Sequence, residues 1–178
     1  KQNKKDIFLQ SLKEPQKKYS WEDVYISIVK LSEELSSYIK KNDRCLIISE
    51  NRPEWMIADL AIMLTGGITV PAYTTYTERD YEYIIDDCTP TIIFVSDKTQ
   101  YKKIKKIISK KNFIRKVIIF DIINNIDEEF NLNIENIFKK NGYNLKNFFN
   151  LKIRREDTAC IIYTSGTQGN PKGVMLSH

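Results

Sequence analysis

Side chains suited to binding phosphate are concentrated in residues 163–178, which read YTSGTQGNPKGVMLSH. Glycines allow a backbone to turn with positive φ and to bring its N–H groups close to an anion. Hydroxyl groups beside them are further hydrogen-bond donors, and a lysine supplies positive charge. This combination predicts a site for the phosphates of a nucleotide. The candidate binding residues are Thr164, Ser165, Gly166, Thr167, Gln168, Gly169 and Lys172.

Two apolar segments flank this loop. Residues 158–163 before it are short, apolar and β-favouring, which predicts a buried strand that carries the loop to the edge of a sheet. Residues 174–176 after it are Val-Met-Leu and predict a second strand rather than a helix. We therefore interpret residues 158–178 as a strand, a phosphate loop and a strand.

The Walker P-loop is the first alternative for a loop of this composition. Its pattern requires a glycine directly before the lysine and a hydroxyl residue directly after it. Here Pro171 precedes Lys172 and Gly173 follows it. Because proline has no N–H to donate to a phosphate, the sequence excludes a Walker loop. A surface loop without a ligand is the second alternative, but such a loop has no need of Pro-Lys-Gly at this spacing.

The order of residues in the loop, Y-T-S-G-T-x-G-x-P-K-G-V, resembles the phosphate-loop signature of the adenylate-forming superfamily. This superfamily includes acyl-CoA synthetases, luciferases and the adenylation domains of peptide synthetases. Gln168 departs from the pattern, because the family usually carries Thr or Ser there. Residues 51–75 resemble the N-R-P-E-W…D-L-A…V-P-x-Y-x-T pattern of long-chain fatty-acyl-CoA synthetases, although nothing in them is a nucleophile, a base or a metal cluster. The resemblance covers nearly the whole chain from about Tyr19.

The resemblance implies the N-terminal part of a ligase that uses ATP, Mg²⁺ and coenzyme A to activate a fatty acid. It implies that Thr164 contacts Mg²⁺ and that residues 164–169, with Lys172, hold the β- and γ-phosphates. It places the metal's carboxylate ligands, the adenine pocket, the acyl tunnel and a catalytic lysine beyond His178. We therefore expect no catalytic residue within these 178 residues and no activity from them alone.

Two other functions remain open at this stage. One is an adenylate-forming enzyme that activates a different acid, such as an amino acid or an aryl acid. The residues that line the acyl pocket would distinguish it. The other is a non-catalytic nucleotide-binding module.

The amino-acid composition limits the possible binding partners and the cellular compartment of the protein. The chain is 42% hydrophobic and 29% charged, as in a globular domain, and no window is apolar enough to span a bilayer. Its three cysteines lack C-x-x-C spacing and His178 is its one histidine, so neither a disulfide framework nor a zinc site is indicated. We expect a cytoplasmic protein with small-molecule substrates. Peripheral membrane attachment through regions outside this chain and the oligomeric state are left open.

The net charge of +5 comes largely from lysines in residues 102–111 and raises nucleic acid as a partner. However, the apolar residues of this segment fall on one face of a helix, and the lysines fall on the others. That pattern is typical of a solvated surface helix. We therefore expect no nucleic-acid partner.

Alternating strand and helix patterns predict an α/β fold with a doubly wound, largely parallel sheet, the N-terminal part of the large domain of an adenylate-forming enzyme. Strands are expected at residues 44–49, 68–70, 91–95 and 116–120. Helices are expected from Ser20, from Pro53 with Asn51 as cap, from Thr77, and across the lysine-rich segment. Residues 121–157 are rich in asparagine and predict a long connection with one short helix, which ends at Gly142. Ligands of such sheets bind beyond the carboxyl ends of the strands.

Overall fold

The computed structural model describes residues 3–124, 127, 129–148, 151–164 and 171–178. The strands are β1 Ile7–Gln10, β2 Lys18–Ser20, β3 Arg44–Ile48, β4 Ile68–Ala72, β5 Ile92–Val95, β6 Lys116–Ile119, β7 Asn131–Asn133, β8 Thr158–Thr164 and β9 Lys172–Ser177. The helices are α1 Trp21–Ser36, α2 Pro53–Leu64, α3 Glu78–Cys88, α4 Lys98–Ile108 and α5 Ile134–Phe138, and a 3₁₀ helix spans Leu145–Phe148.

A seven-stranded sheet in the order β7-β6-β5-β3-β4-β8-β9 organises the molecule. Every neighbouring pair in it is parallel except β8 and β9, which are antiparallel. The α/β fold with a doubly wound, largely parallel sheet is therefore confirmed. The antiparallel pair lies at one end of the sheet, and β9 is the edge strand.

The central strands β3, β5 and β6 are largely apolar, and both of their faces are covered by helices. Successive residues of a strand point to opposite faces. In β3, Leu46 and Ile48 join the core beneath α3 and α4, whereas Cys45 and Ile47 join the core beneath α1, α2 and α5. All four side chains are fully buried. This double burial is what a continuous apolar run in a parallel sheet requires.

Local capping signals fix two of the helices at the residues predicted. The Ser20 side chain accepts from the N–H of Asp23, and the Asp23 side chain accepts from the N–H of Ser20, forming a capping box before α1. Thr77 and Asp80 form the same arrangement before α3. The prediction of Asn51 as the cap of α2 was wrong, since Arg52 occupies that position and makes no side-chain capping bond.

Four features differ from the sequence-based expectations. The antiparallel hairpin of β1 and β2 was not predicted, and neither was β7, which lies within residues 121–157 beside α5. The short helix ends at Phe138, four residues before Gly142. Strand β8 is less buried than predicted, because it lies beside the exposed edge strand β9 and not between two covered strands.

The lysine-rich helix α4 is amphipathic, as predicted, with one exception among its lysines. Its buried face carries Tyr101, Ile104, Ile107 and Ile108. Lys103 is half-buried, and its Nζ donates to the carbonyl oxygens of Thr74 at 2.8 Å and Tyr76 at 2.9 Å. This lysine therefore holds the loop that follows β4. None of the helices in the described part of the chain combines the length and apolar character needed to cross a membrane.

Candidate functional site

The two described ends of the candidate phosphate loop lie side by side at the base of a hairpin. Thr164 ends β8, Lys172 begins β9, and the two residues are direct cross-strand partners. Both side chains are exposed. Because β8 runs parallel to β4, its last residue lies at the carboxyl edge of the sheet, where ligands of such folds bind. The register therefore brings a hydroxyl and an ammonium group to the mouth of one loop.

The rest of the candidate site belongs to residues 165–170, which lie outside the described residues. The predictions for Ser165, Gly166, Thr167, Gln168 and Gly169 are in this segment and stay predictions. The assignments of Thr164 and Lys172 to phosphate and of Thr164 to Mg²⁺ also stay predictions.

The adjacent cross-strand pair, Tyr163 with Gly173, lies one residue further from the loop and anchors the hairpin. The ring of Tyr163 is buried, and its hydroxyl donates to Oδ2 of Asp87 near the end of α3. Burial and this hydrogen bond both raise the pKa of Tyr163. A β-carbon on Gly173 would lie 2.8 Å from Cγ2 of Ile161 and 3.4 Å from Cζ of Tyr163, so this position has no room for a side chain.

A cavity of about 300 Å³ adjoins this hairpin and is lined in part by Asp87, Cys88, Tyr163 and Gly173. Sequence reasoning did not identify Tyr163, Gly173 or Asp87 as contributors to the site. Tyr163 lies in the recognised motif, but no local pattern indicates a partner 76 residues away. Only the fold brings the two together.

The oxygen chemistry at the loop mouth suits a nucleotide-bound Mg²⁺. This ion prefers oxygen ligands and usually retains several waters beside substrate phosphates, so a threonine hydroxyl is an acceptable ligand. Across the described residues, no group of three or more His, Cys, Asp or Glu is arranged to hold a metal ion.

The cysteines of the chain are free and poorly suited to act as nucleophiles. Burial raises the pKa of Cys45, and it raises that of Cys88 to about 12. Burial, with the nearby charge of Asp59, raises the pKa of Cys160 to about 11. A thiol must be deprotonated to attack. These three thiols are therefore protonated near neutral pH.

The Asn-Arg-Pro-Glu-Trp segment forms a buried ionic cluster rather than a ligand site. Glu54 is 1% exposed, and it pairs with Arg52 at 2.7 Å and with Lys17 at 2.5 Å. Tyr19 donates its hydroxyl to the same carboxylate. Lys17 also pairs with Glu135 of α5. The cluster therefore joins the β1–β2 hairpin, the start of α2 and α5, which is a structural role.

Burial alone would raise the pKa of the Glu54 carboxyl. Hydrogen bonds from Arg52 and Lys17 and the charge of Arg52 outweigh that effect and lower the pKa to about 2. The carboxylate is therefore ionised at any physiological pH, and it is saturated with donors. A group in this state is neither a general acid nor a free ligand.

The model of the family described as "AMP-binding enzyme" matches residues 1–178. Long chain acyl-CoA synthetase 4 of Arabidopsis thaliana is 33% identical over 172 residues, covering 90% of this chain and 26% of that protein. Luciferin 4-monooxygenase of Photuris pensylvanica is 30% identical over 162 residues, covering 84% of this chain and 28% of that protein. The chain thus spans about a quarter of the length of these relatives.

Similarity extends to the three-dimensional fold. Acetoacetyl-CoA synthetase from Streptomyces lividans superposes with a TM-score of 0.79 at 18% identity, over 96% of this chain and 27% of that one. At this identity the superposition shows a shared fold and no more.

Proposed function

The chain belongs to the AMP-binding enzyme family, and on that premise we propose that the protein carrying it is an ATP-dependent long-chain fatty-acyl-CoA synthetase. The observation that carries the proposal is the hairpin of β8 and β9, which contains the phosphate-loop motif. Its T-S-G-T-x-G-x-P-K segment leaves the carboxyl edge of a parallel sheet and returns as β9, with Thr164 and Lys172 paired at its base.

In the proposed first half-reaction, a carboxylate oxygen of the fatty acid attacks the α-phosphorus of ATP. The bond from that phosphorus to the oxygen of pyrophosphate breaks, and an acyl-adenylate forms. In the second half-reaction the thiol of coenzyme A attacks the acyl carbon, so that a thioester forms and AMP leaves.

The loop suits the first of these steps. Negative charge builds on pyrophosphate as its bond to the α-phosphorus breaks, and groups held in advance near that charge stabilise the transition state. The Lys172 ammonium, the loop hydroxyls and the loop N–H groups are such groups. Thr164 would hold Mg²⁺, which when bound neutralises further phosphate charge.

The long-chain assignment is the finer part of the proposal. It is supported by the Asn51-to-Thr75 pattern and by the similarity to the Arabidopsis protein named as a long-chain acyl-CoA synthetase. The second candidate is an adenylate-forming enzyme for another acid. The similarity to luciferin 4-monooxygenase at 30% identity supports that candidate, because it shows that this level of similarity extends beyond fatty-acid enzymes. We also propose a cytoplasmic location and small-molecule substrates only.

The experiment is a panel of acids tested with the natural full-length protein. Acid-dependent exchange of pyrophosphate into ATP reports the first half-reaction, and thioester formed with coenzyme A reports the second. We expect both with hexadecanoate and octadecanoate, and much less of either with acetate, benzoate or amino acids. A clear preference for an aryl or amino acid would favour the second candidate. Absence of exchange with every acid would refute both.

A further inference from the structure

Packing does not explain why residue 163 carries a hydroxyl group. The side chain is 4% exposed and lies in the core with Val70, Ala72 and Ile84. A phenylalanine would fill that core equally well. The hydroxyl instead donates to Asp87, an exposed carboxylate in the last turn of α3. Hydrogen bonds to an ionised acceptor are among the strongest in proteins.

Gly173 gives the tyrosine ring its position. It is the cross-strand partner of Tyr163, and the nearest ring atom, Cζ, lies 3.4 Å from where a β-carbon would be. Cγ2 of Ile161 would be closer still, at 2.8 Å. Residue 173 must therefore lack a side chain if the Tyr163 ring and Ile161 are to lie across β9 as they do.

This pair is adjacent to the pair that opens the loop. The next cross-strand pair is Thr164 with Lys172, and both of these side chains are exposed without a core to hold them. Among the described residues, strand β9 is exposed along its whole length. Among the described residues of the hairpin's mouth, Tyr163 is the buried anchor.

We propose that Tyr163 and Asp87 are positioning residues that fix the base of the phosphate loop, so that Thr164 and Lys172 meet the nucleotide in one geometry. The inference rests on the proposed function of the loop. The Tyr163 hydroxyl links the end of β8 to the rigid helix α3. Loss of that link frees the hairpin to shift, and groups that are no longer held in their binding positions bind the nucleotide more weakly.

Four variants of the full-length protein test this role. Tyr163→Phe removes only the hydroxyl, and Asp87→Ala removes only its acceptor. Asp87→Asn retains an acceptor oxygen and is the rescue variant. Asp86→Ala is the matched control, because it removes an acidic side chain from the same turn but breaks a pair with Lys111 rather than the link to β8.

We expect Tyr163→Phe and Asp87→Ala each to raise the KM for ATP in acid-dependent pyrophosphate exchange by about tenfold, which corresponds to a loss of about 1.4 kcal/mol in binding. The double variant should be no worse than either single one, since both remove the same link. Asp87→Asn and Asp86→Ala should stay close to wild type. Thioester formation from pre-formed acyl-adenylate should be unchanged in all of them, because pyrophosphate has already left.

If the bond were purely structural, its loss would lower the melting temperature. The KM for ATP and the relative rates of the two half-reactions would not change. That result would overturn the inference. Additive effects in the double variant, or an equal effect in Asp86→Ala, would also overturn it. The concentration of MgATP that half-maximally raises the melting temperature gives a readout without catalysis. It should increase by the same factor in Tyr163→Phe and Asp87→Ala.

Failure of the proposed function gives a different result. If wild-type protein shows no acid-dependent exchange but is stabilised by MgATP, the proposed reaction is wrong, and the stabilisation curve still tests the positioning role. If Lys172→Ala impairs exchange while Tyr163→Phe and Asp87→Ala do not, the proposed function stands and the positioning role is wrong.

Discussion

Glu54 provides the sharpest prediction about the stability of this fold. Its carboxylate is 1% exposed and accepts hydrogen bonds from Arg52, Lys17 and Tyr19. Glu54→Gln keeps the size of the side chain and removes its charge. Two cations, Arg52 and Lys17, would then be left at the centre of the cluster without their shared partner. Breaking a buried ion pair in this way is strongly destabilising.

The magnitude follows from the pKa. Lowering the pKa of Glu54 from 4.5 to about 2 corresponds to about 3 kcal/mol of folding stability at neutral pH. Because the folded-state pKa is the lower one, this stability is fully present above about pH 4.5 and is lost as the pH falls towards about 2. The difference between wild type and Glu54→Gln should therefore be largest at pH 7 and should shrink in acid.

Urea denaturation at pH 7 and at acidic pH measures the free-energy difference, and hydrogen exchange in peptides covering β1 and β2 locates it. Exchange there should accelerate by about a hundredfold in Glu54→Gln, as expected for a loss of about 3 kcal/mol. Glu50→Gln is the matched control, since it breaks a pair with the 73% exposed Lys13 and should cost less than about 1 kcal/mol. Equal losses in the two variants, or a loss that does not depend on pH, would refute this reasoning.

Three further predictions concern the hairpin and the basic helix. Gly173→Ala should destabilise the protein by about 1–3 kcal/mol through the clash with Cγ2 of Ile161. Adding Ile161→Leu removes the clashing methyl group, because leucine is not branched at its β-carbon, and should recover most of the loss in melting temperature. No recovery would mean that the clash is not the cause. Gln168→Thr, which restores the hydroxyl usual in the family, should leave the KM for ATP unchanged or slightly lower, and a marked increase would contradict that. Binding to duplex DNA should be weak and lost at physiological salt; salt-resistant binding that Lys105→Ala weakens would show α4 to be a nucleic-acid surface.

Local signals in the sequence were sufficient for much of the fold. The capping boxes at Ser20 and Thr77 depend on residues three positions apart, so a single segment contains the whole signal. The apolar runs of β3, β5 and β6 identify strands buried on both faces. The hydroxyl-glycine-lysine spacing predicts the phosphate loop because its chemistry is contiguous in sequence, and that assignment stays a prediction.

Features that depend on distant contacts were missed. Strand β7 is three residues long and contains two asparagines, so it has no apolar pattern, and its parallel pairing with β6 defines it. Arg52 occupies the cap position of α2 while its guanidinium pairs with Glu54 and Asp121. The bond from Tyr163 to Asp87 joins residues 76 positions apart. Each of these depends on which elements become neighbours, and the local pattern does not encode that.

The most direct test of the account compares the two half-reactions of Lys172→Ala in the full-length protein. Single-turnover adenylation and thioester formation from pre-formed acyl-adenylate are measured side by side, with the exposed Lys105→Ala as control. The charge of Lys172 should matter only while pyrophosphate is leaving. We predict that adenylation slows by roughly a hundredfold, or about 3 kcal/mol, and that thioester formation is unchanged. Equal slowing of both steps, or of neither, would contradict the assignment of this loop to the phosphates of ATP.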